Sequence, residues 1–192
     1  MKGKSKSSSG KSDNLKSFII QIKRCAAVKD GGPQFSFRVL AVVGDCRGSC
    51  GFGSGKSPDI ANAKQKALRK ASMNLKRIQL KGRGRNLSLY HKISSSHGAT
   101  KVIMKPSRGT GLRAGGAAKS LLQALGVENA IVKIIGSSNC YNVSRAVMNG
   151  LESSQSPKII ALKRGKSISH IMGSRNNTQS QDKIEEVSFT GQ

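Results

Sequence analysis

The sequence predicts an α+β chain built as two small domains, and three observations carry that expectation. Apolar and polar residues alternate from Leu15 to Val28 and again from Phe35 to Val43, with a glycine-containing turn between them, as two paired strands require. A helix with apolar residues at helical spacing follows. After Gly82-Arg83-Gly84-Arg85 the strand and helix pattern starts afresh, so those residues are read as a hinge. At 192 residues the chain is long enough for two thin cores of this kind.

Residues 1–14 are read as a disordered basic tail, rich in Lys and Ser. The first strand, with Phe18, Ile20 and Ile22 alternating, ends at a tight loop, Lys29-Asp30-Gly31-Gly32-Pro33. In the second strand Phe35, Phe37, Val39 and Ala41 point one way, while Arg38 and Leu40 point the other. A turn at Gly44-Asp45 leads to a third strand through Cys50 to Gly53. Ser57-Pro58-Asp59 is read as a helix start, with Ser57 as the N-cap, Pro58 at the first helical position and Asp59 against the positive end of the dipole. Ile60, Ala63, Ala67, Leu68, Ala71, Leu75 and Ile78 then form its buried stripe. Beyond the hinge, strands are expected at Leu87–Ile93 and Lys101–Lys105, a helix at Ala114–Leu125 closed by Gly126, and a strand at Ala130–Ile135. Asn139 should cap a helix through Val143, Val147 and Leu151, and Ser156-Pro157 should start a last short helix. The proposed domains are residues 15–81 and 82–173, with 174–192 as a flexible polar tail.

Charge decides the class of partner. Lys and Arg total 34 against 9 Asp and Glu, a formal net charge of +25. Such a balance repels itself and calls for a polyanion, because displacing condensed counterions from phosphates drives tight, salt-dependent binding. Lys66, Arg69, Lys70, Lys76 and Arg77 lie off the apolar stripe of the first helix with almost no acid to balance them, so phosphate contact is expected there. No run of about 18 apolar residues is present, as a membrane-spanning helix would need. The first apolar stretch, Phe18–Ile22, is too short and too far inside to be a secretory signal. The Lys/Ser-rich residues 1–12 read better as an RNA-contacting tail than as a targeting remnant, and the Asn-x-Ser/Thr triplets at Asn86, Asn142 and Asn176 carry little meaning without export.

Signals for chemistry are weak. Cys25, Cys46, Cys50 and Cys140 are expected to be reduced and mostly buried. Cys46 and Cys50 lack a second ligand pair for zinc, and His91, His97 and His170 are scattered, so no metal is expected. The string Gly51-Phe-Gly-Ser-Gly-Lys-Ser57 evokes a phosphate-binding loop, yet that motif needs a glycine at position 50, where Cys stands. Pro106-Ser-Arg-Gly-Thr-Gly-Leu-Arg-Ala-Gly-Gly-Ala-Ala118 resembles the phosphate loop of the galactokinase and homoserine kinase superfamily. Acids are nearly absent between Asp59 and Glu128, leaving phosphoryl transfer without a metal site or a base. No enzyme activity and no cofactor are expected. Aromatic residues are 4% of the chain with no Trp, so RNA recognition should rest on backbone charge and shape.

A set of motifs then points to one family. Phe35-Ser-Phe, Val42-Val-Gly-Asp45, Gly51-Phe-Gly-x-Gly-Lys56, Gly109-Thr-Gly111, Ala114-Gly-Gly116, Gly136-Ser-x-Asn139, Asn142-Val-x-Arg-Ala146 and Lys163-Arg-Gly-Lys-Ser167 occur in the order and spacing of the bacterial-type small-subunit ribosomal protein five. The resemblance covers roughly Lys16 to Gly173. It implies an N-terminal β-β-β-α domain like those that bind double-stranded RNA, and a C-terminal βαβα domain sharing the architecture of those kinases without their catalytic residues. It also implies binding to small-subunit rRNA at the head/body junction, contact with mRNA at the entry channel and with the neighbouring small-subunit proteins four and eight, and support of decoding accuracy. The implied setting is the small subunit of a ribosome in a bacterial cytoplasm or an organelle such as the mitochondrion, not the eukaryotic cytosolic ribosome.

Carried onto this chain, the resemblance implies RNA contact at Arg24, Lys29 and Gln34 around the hairpin, at Arg38, Arg47 and Lys56 on the strands and turn that follow, and at Lys64, Lys66, Arg69, Lys70, Lys76 and Arg77. It implies protein contact at Arg113, Asn139, Asn142, Arg145, Lys163, Arg164 and Lys166. The chain departs from the family at the hairpin loop, where Pro33-Gln34 stands in place of the usual arginine, and at the helix start, Pro58-Asp59-Ile60. Two other readings remain, a small-molecule kinase-like ATP binder and a free double-stranded RNA-binding protein.

Overall fold

A computed structural model describes residues 15–82 and 87–172. The two expected tails and most of the hinge, residues 83–85, lie outside them. Contacts divide the chain into two units that meet between Ser154 and Gln155.

The first unit opens with β1 (Lys16–Lys29), β2 (Gly32–Gly44) and β3 (Ser49–Ser57), then α1 (Ile60–Met73) and the short β4 (Lys76–Arg77). These strands form one antiparallel sheet in the order β1-β2-β3-β4. The long β1–β2 hairpin turns at Asp30-Gly31, with Gly31 and Gly32 at φ of 102° and 116°, a region open to glycine. Pairing resumes at once through Lys29↔Gly32, so Pro33 and Gln34 belong to β2 and not to a loop.

Packing explains why β3 outruns its expected end at Gly53. Gly51, Gly53 and Gly55 recur every second residue on the face that meets Ala63, Ala67 and Ala71 of α1. A Cβ at Gly53 would stand 2.5 Å from the Ala67 carbonyl oxygen and from the Ala71 nitrogen. Strand and helix therefore touch backbone to backbone, and the glycines serve packing. Val39 and Ala41 of β2 complete this small core with Ala63 and Ala67.

The longer strand moves the helix start. Ser57 is the buried last residue of β3, and the N-cap is Asp59, whose Oδ2 accepts the Asn62 N–H at 3.3 Å. The helix stops at Met73, so Leu75 and Ile78 are not part of its stripe. Ile78 is buried all the same, with its N–H donated to the Gly48 carbonyl at 2.7 Å, while Ile60 and Leu75 are exposed.

The remaining elements of the unit are β5 (Leu87–Ser88), β6 (Ile93–His97), β7 (Thr100–Pro106), β8 (Leu112–Arg113), α2 (Gly116–Leu125), β9 (Val127–Gly136) and α3 (Cys140–Ser153). The strand expected over Leu87–Ile93 is two strands that pair with different partners, β5 with β9 and β6 with β7. The helix expected from Ala114 starts at Gly116, because Leu112 and Arg113 pair parallel to Ala130 and Ile131. Gly126 closes α2 at φ 90°, and Asn139 caps α3 by accepting the Tyr141 N–H at 3.1 Å.

The α1-distal face of the first sheet joins a core with the second. Leu40, Val42, Cys50 and Phe52 pack in one cluster with Val102 and Met104 of β7, Leu121, Leu122 and Leu125 of α2, and Val143, Val147 and Leu151 of α3. A backbone seam reinforces the join. The turn after β2 donates Cys46 N–H to the Ala124 carbonyl at 3.0 Å and Gly48 N–H to the Leu125 carbonyl at 3.1 Å, satisfying carbonyls that the end of α2 leaves open.

The second unit contains α4 (Pro157–Arg164), with Ser156 as N-cap and Gly165 as C-cap at φ 61°, and α5 (Ile168–Met172), which the sequence did not announce. The chain is thus α+β, with a β-β-β-α order followed by a region of mixed strands and helices.

Candidate nucleic-acid interface

The cationic residues fall into separate groups. Lys66, Arg69 and Lys70 are exposed along α1: the Lys66 and Lys70 stems flank the alanine stripe beside Gly55 and Gly53 of β3, and Arg69 lies on the far side, with Lys64 half-buried. Lys76 and Arg77 belong instead to β4, paired with Cys50 and Ser49. The Lys76 Nζ lies 2.8 Å from Glu152 Oε1, the one ion pair among the described residues, so its charge is already engaged.

On the hairpin, the Arg24 guanidinium stacks 3.7 Å above the ring of Phe35, and both are exposed. Lys29 ends β1 opposite Gly32, and Gln34 is exposed opposite Ala27. Arg38 and Lys56 are direct cross-strand partners and point away from α1, since they share the parity of Leu40. Lys23, which sequence reasoning did not single out, stands opposite Arg38 on the other side. The hairpin register reveals it, running unbroken from Lys29↔Gly32 to Lys23↔Arg38; the bulge between Ile19 and Gln21 lies beyond.

Arg47 sits apart, in the turn closed by Asp45. The Asp45 Oδ1 accepts the N–H groups of Arg47 and Ser49 at 2.7 and 2.8 Å. Partial burial works to raise the Asp45 carboxyl, yet the bonds from Ser49 and Arg47 together outweigh it and hold the pKa below its ordinary value.

Among residues expected to touch proteins, Asn139 and Asn142 open α3, and the Arg145 guanidinium lies 5.6 Å from the centre of the Phe52 ring. Phe52 in turn meets Tyr141 edge to face at 6.0 Å. Arg113 is exposed on β8. Lys163, Arg164 and Lys166 lie in the second unit: the first two in the last turn of α4, where cations suit the dipole, and Lys166 Nζ 3.3 Å from His170 Nε2. The Lys163 Nζ also donates to Gln155 Oε1 at 3.2 Å.

Of the cysteines only Cys50 is fully buried; Cys25, Cys46 and Cys140 are half-buried, against the expectation that most would be inside. Burial, with the nearby charges of Asp45 and Glu152, pushes the Cys50 thiol up to about 12, so it stays protonated beside Met148 Sδ at 3.6 Å. No group of three His, Cys, Asp or Glu that could hold a metal ion occurs among the described residues. In the second glycine-rich loop Gly109 and Gly111 adopt φ of 74° and 75°, and Asn129 Oδ1 accepts the Gly111 N–H at 3.3 Å, tying the loop to β9.

Comparison with known proteins finds matches along most of the chain. Residues 15–79 match the family described as "Ribosomal protein S5, N-terminal domain", and residues 95–164 match "Ribosomal protein S5, C-terminal domain". A relative named "Small ribosomal subunit protein uS5" from Alkalilimnicola ehrlichii is 43% identical over 162 residues, 84% of this chain and 95% of that protein. Proteins of the same name from Alcanivorax borkumensis and Psychromonas ingrahamii are 43% and 44% identical over 161 residues, each covering 83% of this chain and 94% of the relative. Identity at this level along nearly the whole length of such relatives leaves one assignment, and the chain belongs to the ribosomal protein S5 family.

Proposed function

We propose that this protein is a structural RNA-binding constituent of a bacterial-type small ribosomal subunit, working by binding and not by catalysis. The observation that carries this reading is the exposed set of unopposed cations on α1 and on the opposite face of the first sheet, in a chain of net charge +25. Family membership supports the same conclusion, since the relatives are named as small-subunit proteins. The glycine-rich segments fit it too: Gly51, Gly53 and Gly55 are consumed by contact with α1, which leaves them no part in a nucleotide loop.

At finer grain, the rRNA site lies at the head/body junction, with Arg24, Lys29, Gln34, Arg38, Arg47, Lys56, Lys64, Lys66, Arg69, Lys70 and Arg77 directed to RNA. The α1 face also meets incoming mRNA at the entry channel and supports accuracy. Residues 82–173 meet the neighbouring proteins four and eight through Arg113, Asn142, Arg145, Lys163, Arg164 and Lys166. The family matches at 15–79 and 95–164 are in keeping with domains at 15–81 and 82–173. Sedimentation of native particles in high salt tests the reading: the protein should travel with the small subunit, and its loss to the free fraction refutes the assignment.

A further inference from the structure

Three cations stand in a row across the first sheet. Lys23 of β1, Arg38 of β2 and Lys56 of β3 are successive cross-strand partners, and all three point away from α1. Like charges placed directly opposite destabilise a sheet, and no acidic side chain lines the ground around them. Two adjoining clefts, of about 170 and 370 Å³, open beside this row. Lys23, Arg38 and Ser54 line the first together with Asn139 and Tyr141, at the N-terminus of α3. Arg38, Lys56 and Tyr141 line the second with Lys70, which arrives from α1.

Lys70 reaches this side because β4 pairs only with Ser49 and Cys50, leaving β3 a free edge from Gly51 onward. Cations from both faces of the sheet thus converge on one concavity, next to a helix end whose dipole favours negative charge. The row of cations holds itself apart only at a cost, which an anion seated in the clefts would remove.

We infer that these clefts form a phosphodiester site for rRNA in which the α3 N-terminus, through Asn139 and Tyr141, acts together with Lys23, Arg38, Lys56 and Lys70. The inference rests on the rRNA-binding reading above and reassigns Asn139 from protein contact to RNA. It also extends the interface beyond α1, with Lys70 shared between the two: the RNA backbone is gripped on both sides of the first sheet.

The test uses the full chain and a transcript of bacterial small-subunit rRNA. Asn139→Asp keeps the cap, since Asp serves there as well as Asn, but puts a carboxylate into the clefts; Gln123→Glu makes the same charge change on exposed α2. Asn139→Asp should weaken binding at least about tenfold with the melting temperature kept, and Gln123→Glu less than about twofold. Equal binding by the two variants overturns the site. Arg38→Gln, at an exposed strand position independent of the cap, should lower the slope of log affinity against log salt by about 0.9; an unchanged slope overturns it too. Acylation of Lys23 and Lys56 separates sources of phosphate. Protection by rRNA but not by inorganic phosphate at equal ionic strength supports the site, and equal protection by inorganic phosphate overturns it. Failure of the unaltered chain to bind the transcript would instead remove the rRNA reading itself.

Discussion

Gly53 fixes how close β3 comes to α1, because any side chain there would enter the backbone of Ala67 and Ala71. Gly53→Val should therefore force the helix off the sheet, costing about 3 kcal/mol or more by overpacking. Urea unfolding measures this, and a loss below about 1 kcal/mol would mean that the helix rides more loosely than its contacts indicate. Asp45 matters for a different reason. Its lowered pKa means that the folded state prefers the carboxylate, so its contribution is present above the ordinary value of 3.8 and is lost as pH falls through the lower folded value. Asp45→Ala should cost about 1–2 kcal/mol at pH 7 through its lost N–H bonds. The difference from the unaltered protein should shrink as pH falls below 3.8 in a urea series; a constant difference down to pH 2 would place the effect elsewhere.

Among the elements, α1 owes its position to alanines and glycines, and its cations are exposed beside and beyond that stripe. Charge reversal of Lys66, Arg69 and Lys70 to Glu leaves the buried stripe intact, so helicity should hold while rRNA affinity falls at least about a hundredfold and the salt slope becomes shallower. An unchanged slope would take α1 out of the interface. The periodicity of this helix was legible in the sequence, but its ends were not. Ser57 looks like a cap beside Pro58, yet pairing with Phe37 draws it into β3, and Asp59 takes the cap instead. Likewise Leu75 and Ile78 match helical spacing by accident; Ile78 is buried in the larger core, where its N–H also bonds the Gly48 carbonyl, contacts over distance that no local pattern encodes. For the site, the α1 cations could be read directly because i, i+3 and i+4 positions share a face. Lys23, Arg38 and Lys56 could not, since their alignment depends on two strand registers, each set by where pairing resumes after a turn.

Across the first unit, one core serves both sheets. Leu122 of α2 is fully buried in the same cluster as Leu40, Val42 and Phe52 of the first sheet. Leu122→Ala should destabilise by about 2–5 kcal/mol, and it should lower a single melting transition reported equally by probes in β2 and in α3. Two separated transitions, with only the α3 probe shifted, would mean that the halves unfold independently. By itself the sequence determined the α+β class, the strand and helix order in outline, the polyanion partner and the family, because periodicity, net charge and ordered motifs are properties of the chain as written. Tertiary structure alone decided that the first glycine series is a packing surface, that the β3 edge is open from Gly51 onward, and that Lys23, Arg38, Lys56 and Lys70 line two adjoining clefts with Asn139 and Tyr141. Those outcomes depend on register and close approach between segments as far apart as β1 and α3, and such distances are set by packing, not by neighbours in sequence.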